Sequence, residues 1–205
     1  MKEKEIDKES LILKSAEEEF LEKGYTNAKT TEIAKRAGVT HAMLHYYYRT
    51  KRNLFEIVLQ RKMESLVNVF VFSFKQDLPF LEKLKKGVED HFDVVSANPK
   101  LPNFIFSEIL NNEENRNYFL NILKPHFLEI LQSIEIELRQ EANQGNVKYI
   151  EPYNLLFAII SVNVFGVLAS PVITGLLEMD ANQFEAFKLE RKKQNVELVM
   201  SLLRV

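Results

Sequence analysis

From Leu13 to Leu203 the apolar residues recur at three- and four-residue spacing, and no stretch alternates apolar with polar as a half-buried strand would. That periodicity admits little besides packed helices, and the predicted fold class is all-α. Six Gly and six Pro in 205 residues are too few for a collagen-like or low-complexity chain. A hydrophobic content of 46% is enough to bury a sizeable core. The chain has no cysteine, which excludes disulfides, thiolate metal sites and a Cys nucleophile. The opening MKEKEIDKES alternates charge with no apolar core behind it, unlike a secretory signal, so the expectation is a soluble, cytoplasmic protein.

The spacing predicts a first helix from about Asp7 to Lys23, with Leu13, Ala16 and Phe20 on one face and Gly24 as its stop. Thr30 or Thr31 can cap a short second helix that Gly38 ends, and Thr40 can cap a third through Tyr47. Thr50 can cap a long fourth helix carrying Leu54, Val58, Phe70 and Phe74. Further helices are expected up to Asn98, on to Asn111, from Phe119 to Leu138 with a bend or restart at Pro125, and from Pro152 to Leu177. Asn182 with Glu185 reads as the capping-box start of the last. The stretch between Glu151 and Glu178 has no charged residue and is long enough for a membrane span. Its Asn, Ser, Thr and Gly residues favour a buried or subunit-burying helix instead, with no membrane partner.

Charge divides the chain. Lys23 to Lys62 holds nine basic residues against two acidic, a local +7 that leaves −9 on the remainder and −2 overall. A basic segment on an acidic body suits a polyanion. Within it, Ala34 is small where two helices must approach, Gly38 four residues later allows a turn, and Leu44 can plug the space between them. That is helix-turn-helix arithmetic, which an ordinary helical hairpin can also satisfy. Outward residues of the third helix would face the major groove.

Residues 9–54 resemble the TetR/AcrR transcriptional regulators, through Phe20-Leu-Glu-Lys-Gly-Tyr25, Thr30-Thr-Glu-Ile-Ala34, Ala37-Gly-Val-Thr40 and Leu44-His-Tyr-Tyr-Tyr-Arg-Thr-Lys51-Arg-Asn-Leu54. The resemblance implies a DNA-binding domain at 1–53 and a helical effector-binding and dimerisation domain at 54–205. It also implies a homodimer that represses a promoter at a palindromic double-stranded operator and is released by a small, mostly apolar effector. Carried over by position, Thr40 would cap the recognition helix and touch a phosphate, and His41, Ala42 and Met43 would face bases. Tyr47 would lie against a phosphate, with His45 and Tyr46 beside it, and Lys51 would hold another at the start of the fourth helix. Thr30 and Thr31 would contact the backbone on the other side. Ala42, His45, Tyr48 and Arg49 stand where the family often has Gly, Tyr, Phe and Pro, and Tyr48 is expected to pack inside.

Beyond residue 69 the chain is rich in Phe, and polar groups on apolar faces point to a ligand pocket. The candidates are Phe70, Phe74, His91, Phe92, Phe106, Tyr118, His126, Phe127, Phe157 and Asn163. For each individual Phe an ordinary core is the better explanation than ligand contact. Phe165, Leu168 and Val172, with Val196, Val199 and Leu203 on the last helix, are the candidate dimer interface, a four-helix bundle across a two-fold axis. His41 and His45 are four apart, as metal ligands can be, but lack a third ligand, so no metal and no cofactor are assigned. No phosphate loop or glycine-flanked serine suggests an enzyme, and Glu17-Glu18-Glu19 and Glu113-Glu114 read as solvated helix faces. A helical adaptor or membrane-associated protein that keeps a helix-turn-helix without binding DNA is the alternative class.

Overall fold

The structure, a computed structural model, describes residues 2–205, with side chains from Lys8 onward. Its described residues form helices and connecting turns, with no strand among them. In chain order the helices are α1 (Lys2–Asn27), α2 (Thr30–Arg36), α3 (His41–Tyr48), α4 (Lys51–Phe74), α5 (Phe80–Ala97), α6 (Lys100–Asn111), α7 (Glu113–Asn143), α8 (Pro152–Leu176) and α9 (Ala181–Ser201). They divide into two compact units. One holds residues up to Glu64 together with Asn103–Ile122, and the other holds Ser65–Pro102 and Leu123–Val205.

In the first unit, Ile12, Ala16 and Phe20 of α1, Ile33 of α2, Leu44 of α3, and Leu54 and Phe55 of α4 are all fully buried, and α2 packs against both α1 and α3. Aromatic rings tie the unit further, with Phe20 edge-on to Phe55 at 5.2 Å and Phe55 edge-on to Phe104 of α6 at 5.9 Å. α1 is interrupted at Gly24, whose φ of 71° breaks the helix where its glycine is expected to stop it. The turn between α2 and α3 is a Schellman motif. Val39 N–H reaches the Ala34 carbonyl at 3.0 Å and Gly38 N–H the Lys35 carbonyl at 3.2 Å, with Gly38 at φ 65°.

Glu19 departs from the reading of Glu17-Glu18-Glu19 as a solvated face. Its side chain is fully buried, accepting from Lys23 Nζ at 2.8 Å and Lys29 N–H at 3.3 Å, and pairing with Arg36 at 3.2 Å. Glu17 pairs with Lys62, and Glu18 lies 3.8 Å from Arg36. Burial works against the charge on Glu19, but Lys23, the Lys29 amide and Arg36 outweigh it and hold its carboxyl below the usual range. The stabilisation is therefore present above the ordinary carboxyl value and is lost as pH falls through the lowered one. Glu19→Ala is expected to lower the stability of this unit by about 1 kcal/mol at pH 7 in denaturant titration, with a smaller difference below pH 4.

In the second unit, α5, α8 and α9 pack against one another. Phe70, Phe74, Leu84, Val88, Ile134, Leu155, Ile159 and Val199 fill the core between them and the ends of α4 and α7. α7 continues through Pro125 rather than restarting. It ends at Asn143, where Gly145 turns the chain at φ 76°. The N-cap of α9 lies two residues before the expected Asn182. Asp180 is its N-cap, accepting from Gln183 N–H at 2.8 Å while Gln183 Oε1 accepts from Asp180 N–H at 2.9 Å. α8 is long and apolar enough to cross a membrane by length and composition. One face of it (Leu155, Leu156, Ile159, Asn163, Val167) is buried in the unit, and the other exposes Tyr153, Phe157, Phe165, Val172 and Leu176.

Candidate nucleic-acid interface

Thr40 caps α3 as its position predicts, its Oγ1 accepting from Met43 N–H at 3.2 Å. The cap starts a two-turn helix that the scaffold holds through buried Leu44 and Tyr48. Burial raises the Tyr48 hydroxyl well above the ordinary tyrosine range, and that hydroxyl donates to the Glu9 carbonyl at 3.3 Å. What α3 leaves exposed is His41, Ala42, His45 and Tyr46, the last 68% accessible, with Met43 and Tyr47 half-buried. Tyr47 stands edge-on to Tyr46 at 5.6 Å and tilted against Tyr48 at 6.4 Å.

Thr30 does not cap α2. It is the first helical residue, the cap position is Lys29, and no side chain closes that end. Thr30 Oγ1 instead lies 2.9 Å from His41 Nε2, a bond that ties the start of α2 to the start of α3. Thr31 beside it is exposed. His45 donates from Nδ1 to the Arg49 carbonyl at 2.9 Å, because a carbonyl can only accept. That bond closes α3 at Arg49, whose φ is 63°. The His41 and His45 rings meet edge-on at 4.4 Å.

Thr50 caps α4 through Asn53 N–H at 3.1 Å. Lys51 follows it and donates to the Thr26 carbonyl at 3.2 Å, with its ammonium 4.9 Å above the Tyr25 ring. Partial burial lowers the Lys51 pKa from its ordinary value, while the carboxylates of Glu108 and Glu19 pull it back up. An ammonium has three donors and the carbonyl takes one, so Lys51 can hold an anion at the head of α4 without leaving its place. Thr40, His41, Ala42, Tyr46, Tyr47 and Lys51 thus belong to the one unit that carries the +7 segment.

In the second unit the candidate ligand residues separate. His91 and Asn163 come together with Asn195, which the sequence reading missed. Asn163 Nδ2 donates to the Val88 carbonyl at 3.0 Å and to His91 Nδ1 at 3.1 Å, and Asn195 Nδ2 donates to Asn163 Oδ1 at 2.8 Å. Burial alone lowers the His91 pKa to about 4, so the ring is neutral, with its proton on Nε2. Phe70 lies 4.9 Å from the His91 ring, and Phe74 and Phe92 are buried in the same unit. His126 and Phe127 are half-buried on α7.

Six candidate residues lie elsewhere than the sequence suggests. Phe106 and Tyr118 belong to the first unit rather than to the His91 cluster, and the Tyr118 hydroxyl donates to the Glu56 carbonyl at 3.4 Å. Phe157 is 71% exposed, on the same face of α8 as Phe165, because an eight-residue separation returns to one side of a helix. Val196, Val199 and Leu203 are consumed by the core of their own unit, whereas Leu189 and Leu198 of α9, and Leu202 just after it, are exposed. Phe165, Leu168 and Val172 keep exposed or half-buried positions.

The chain is similar over 95 residues to the HTH-type transcriptional activator FasR of Mycolicibacterium smegmatis, at 32% identity over 46% of this chain and 43% of that protein. It matches the fatty acid metabolism regulator protein of Bacillus subtilis at 24% identity over 67% of this chain and 69% of the relative. The transcriptional regulator FadR from Bacillus subtilis, solved in complex with stearoyl-CoA, shares the fold at a TM-score of 0.70 and 22% identity, over 94% of this chain and 98% of that one. Residues 12–58, which contain the whole of α2 and α3, match the bacterial regulatory proteins of the tetR family. That segment, about a quarter of the chain, resembles the tetR family's DNA-binding domain, and the likeness to the solved structure extends the shared helical fold over nearly the whole chain.

Proposed function

We propose that the chain is a ligand-responsive, DNA-binding transcriptional regulator, a cytoplasmic homodimer that represses at a palindromic operator and lets go when an apolar effector binds. The DNA-binding domain spans 1–53, and 54–205 serves effector binding and dimerisation. The observation that carries the reading is α3. It is capped by Thr40, braced by Leu44 and bonded to Thr30 through His41, and it presents polar and aromatic side chains within the basic segment. Thr30, Thr31, Thr40, Tyr47 and Lys51 contact phosphates, and His41, Ala42 and Met43 read bases. The relatives are regulators rather than enzymes, and two of them are named for fatty acid metabolism or were solved with stearoyl-CoA. The effector we infer is therefore a long-chain acyl group in the second unit, near His91, Asn163 and the Phe residues around them. Phe165, Leu168 and Val172 on α8, with the exposed leucines of α9, form the dimer surface.

The test is binding to the chain's own upstream DNA and to a random-sequence pool across a salt series. Nanomolar, salt-sensitive binding is expected, and Lys51→Ala and Tyr47→Phe should each weaken it. Lys51→Ala should flatten the log–log salt slope by about one, the signature of one lost phosphate contact. Stearoyl-CoA should release the DNA. No binding to either DNA would sink the regulator reading, and release by no acyl thioester would remove the effector assignment.

A further inference from the structure

Three buried or half-buried polar side chains of the first unit form a relay whose polarity is fixed. Arg52 of α4 donates from Nη1 to Asn115 Oδ1 at 2.5 Å. Asn115, fully buried on α7, donates from Nδ2 to Glu108 Oε2 at 2.6 Å, and Glu108 of α6 accepts from Tyr25 N–H through Oε1 at 2.6 Å. Asn112 holds Asn115 in register by accepting its backbone N–H at 2.9 Å. A guanidinium only donates, so Asn115 must turn its oxygen to Arg52 and its amide nitrogen to Glu108. Position 108 then faces a donor at each of its two terminal atoms, and among amide and carboxyl side chains only a carboxylate accepts through both.

The relay ends at the corner that holds Lys51. Tyr25 supplies the ring beneath the Lys51 ammonium, and Thr26, the next residue, supplies the carbonyl it donates to. Arg52 approaches the same ring at 5.7 Å. Resting on the DNA-binding reading above, we propose that Glu108 is the positioning residue of this corner. Through the Tyr25 amide on one side, and Asn115 and Arg52 on the other, it sets where Lys51 meets a DNA phosphate. A residue 57 positions from Lys51, on a helix outside the helix-turn-helix, thereby tunes operator affinity.

Glu108→Gln tests this, because its amide nitrogen must oppose either the Asn115 nitrogen or the Tyr25 N–H. The double variant Glu108→Gln with Asn115→Asp restores every donor–acceptor pair by moving the carboxylate one link along. Measured on the full chain, Glu108→Gln should raise the Kd for operator DNA about tenfold and flatten the salt slope by about one, as loss of one phosphate contact does. Tyr25 amide hydrogen exchange should accelerate without DNA present, and the double variant should recover both. A folded Glu108→Gln protein with wild-type Kd, slope and exchange overturns the proposal, since a merely structural role would lower stability alone. So does a double variant that recovers stability but not the slope. Wild-type protein that binds no DNA at all fells the DNA-binding reading itself, and that result is seen before any variant is made.

Discussion

Leu44→Ala is expected to cost about 3 kcal/mol and to remove DNA binding at 37 °C. Leu44 is fully buried on α3, and deleting three carbons there leaves a cavity that a small unit cannot collapse to fill. α3 is eight residues long, too short to persist without that contact. The loss is a large share of the 5–15 kcal/mol that a domain commonly has, and it falls on the element that would enter the groove. Calorimetry should show the transition of the first unit moving down by several degrees while that of the second stays. His41→Ala, at an exposed position of the same helix, gives up only the exposed bond to Thr30, so it should shift the first transition far less than Leu44→Ala while weakening binding. Equal thermograms for Leu44→Ala and wild type would mean that the plug between α2 and α3 stabilises nothing.

Acid should loosen the second unit well above the range where carboxylates titrate. The folded state keeps His91 neutral down to about pH 4, whereas the unfolded chain protonates it near its ordinary value of 6.5. Between those values the unfolded state binds more protons, so stability falls as pH falls. The expected loss is about 2 kcal/mol from pH 7 to pH 5, approaching about 3 kcal/mol at pH 4. His91→Gln keeps an acceptor for Asn163 and carries no titrating ring. Its stability, whatever its absolute value, should be nearly flat from pH 7 to pH 5, where Glu19 stays ionised. A variant as pH-sensitive as wild type would move the effect away from His91.

What was legible in the sequence was local. Thr40 and Thr50 reach amides three residues away, and Gly24 and Gly38 mark turns through their own backbone angles, so both kinds of signal lie within a few positions. Glu19, Asn115 and Asn195 were not legible as buried, since each takes a partner from 10 to 63 residues off in the chain. Three adjacent glutamates span about 200° of helix at 100° per residue, so one of Glu17, Glu18 and Glu19 had to face away from the others. α8 misled for a different reason. It is apolar nearly all round, and a period of 3.6 disappears when both faces are apolar, so Phe157 could not be told from Ile159. On α9 the periodicity marked Val196, Val199 and Leu203 correctly as one face, but it could not tell the protein's own core from a partner's.

Gly24 carries an obligation across 84 positions of chain. A Cβ there would sit 2.7 Å from Glu108 Oε1, and the φ of 71° already disfavours any side chain. Replacing the glycine would push the carboxylate off the Tyr25 amide, so positions 24 and 108 are not free to drift separately. A lineage could exchange one only by passing through a form with the corner undone, or by changing both together. The short Gly-Tyr pair at the end of α1 is thus half of an epistatic unit whose other half is written on α6.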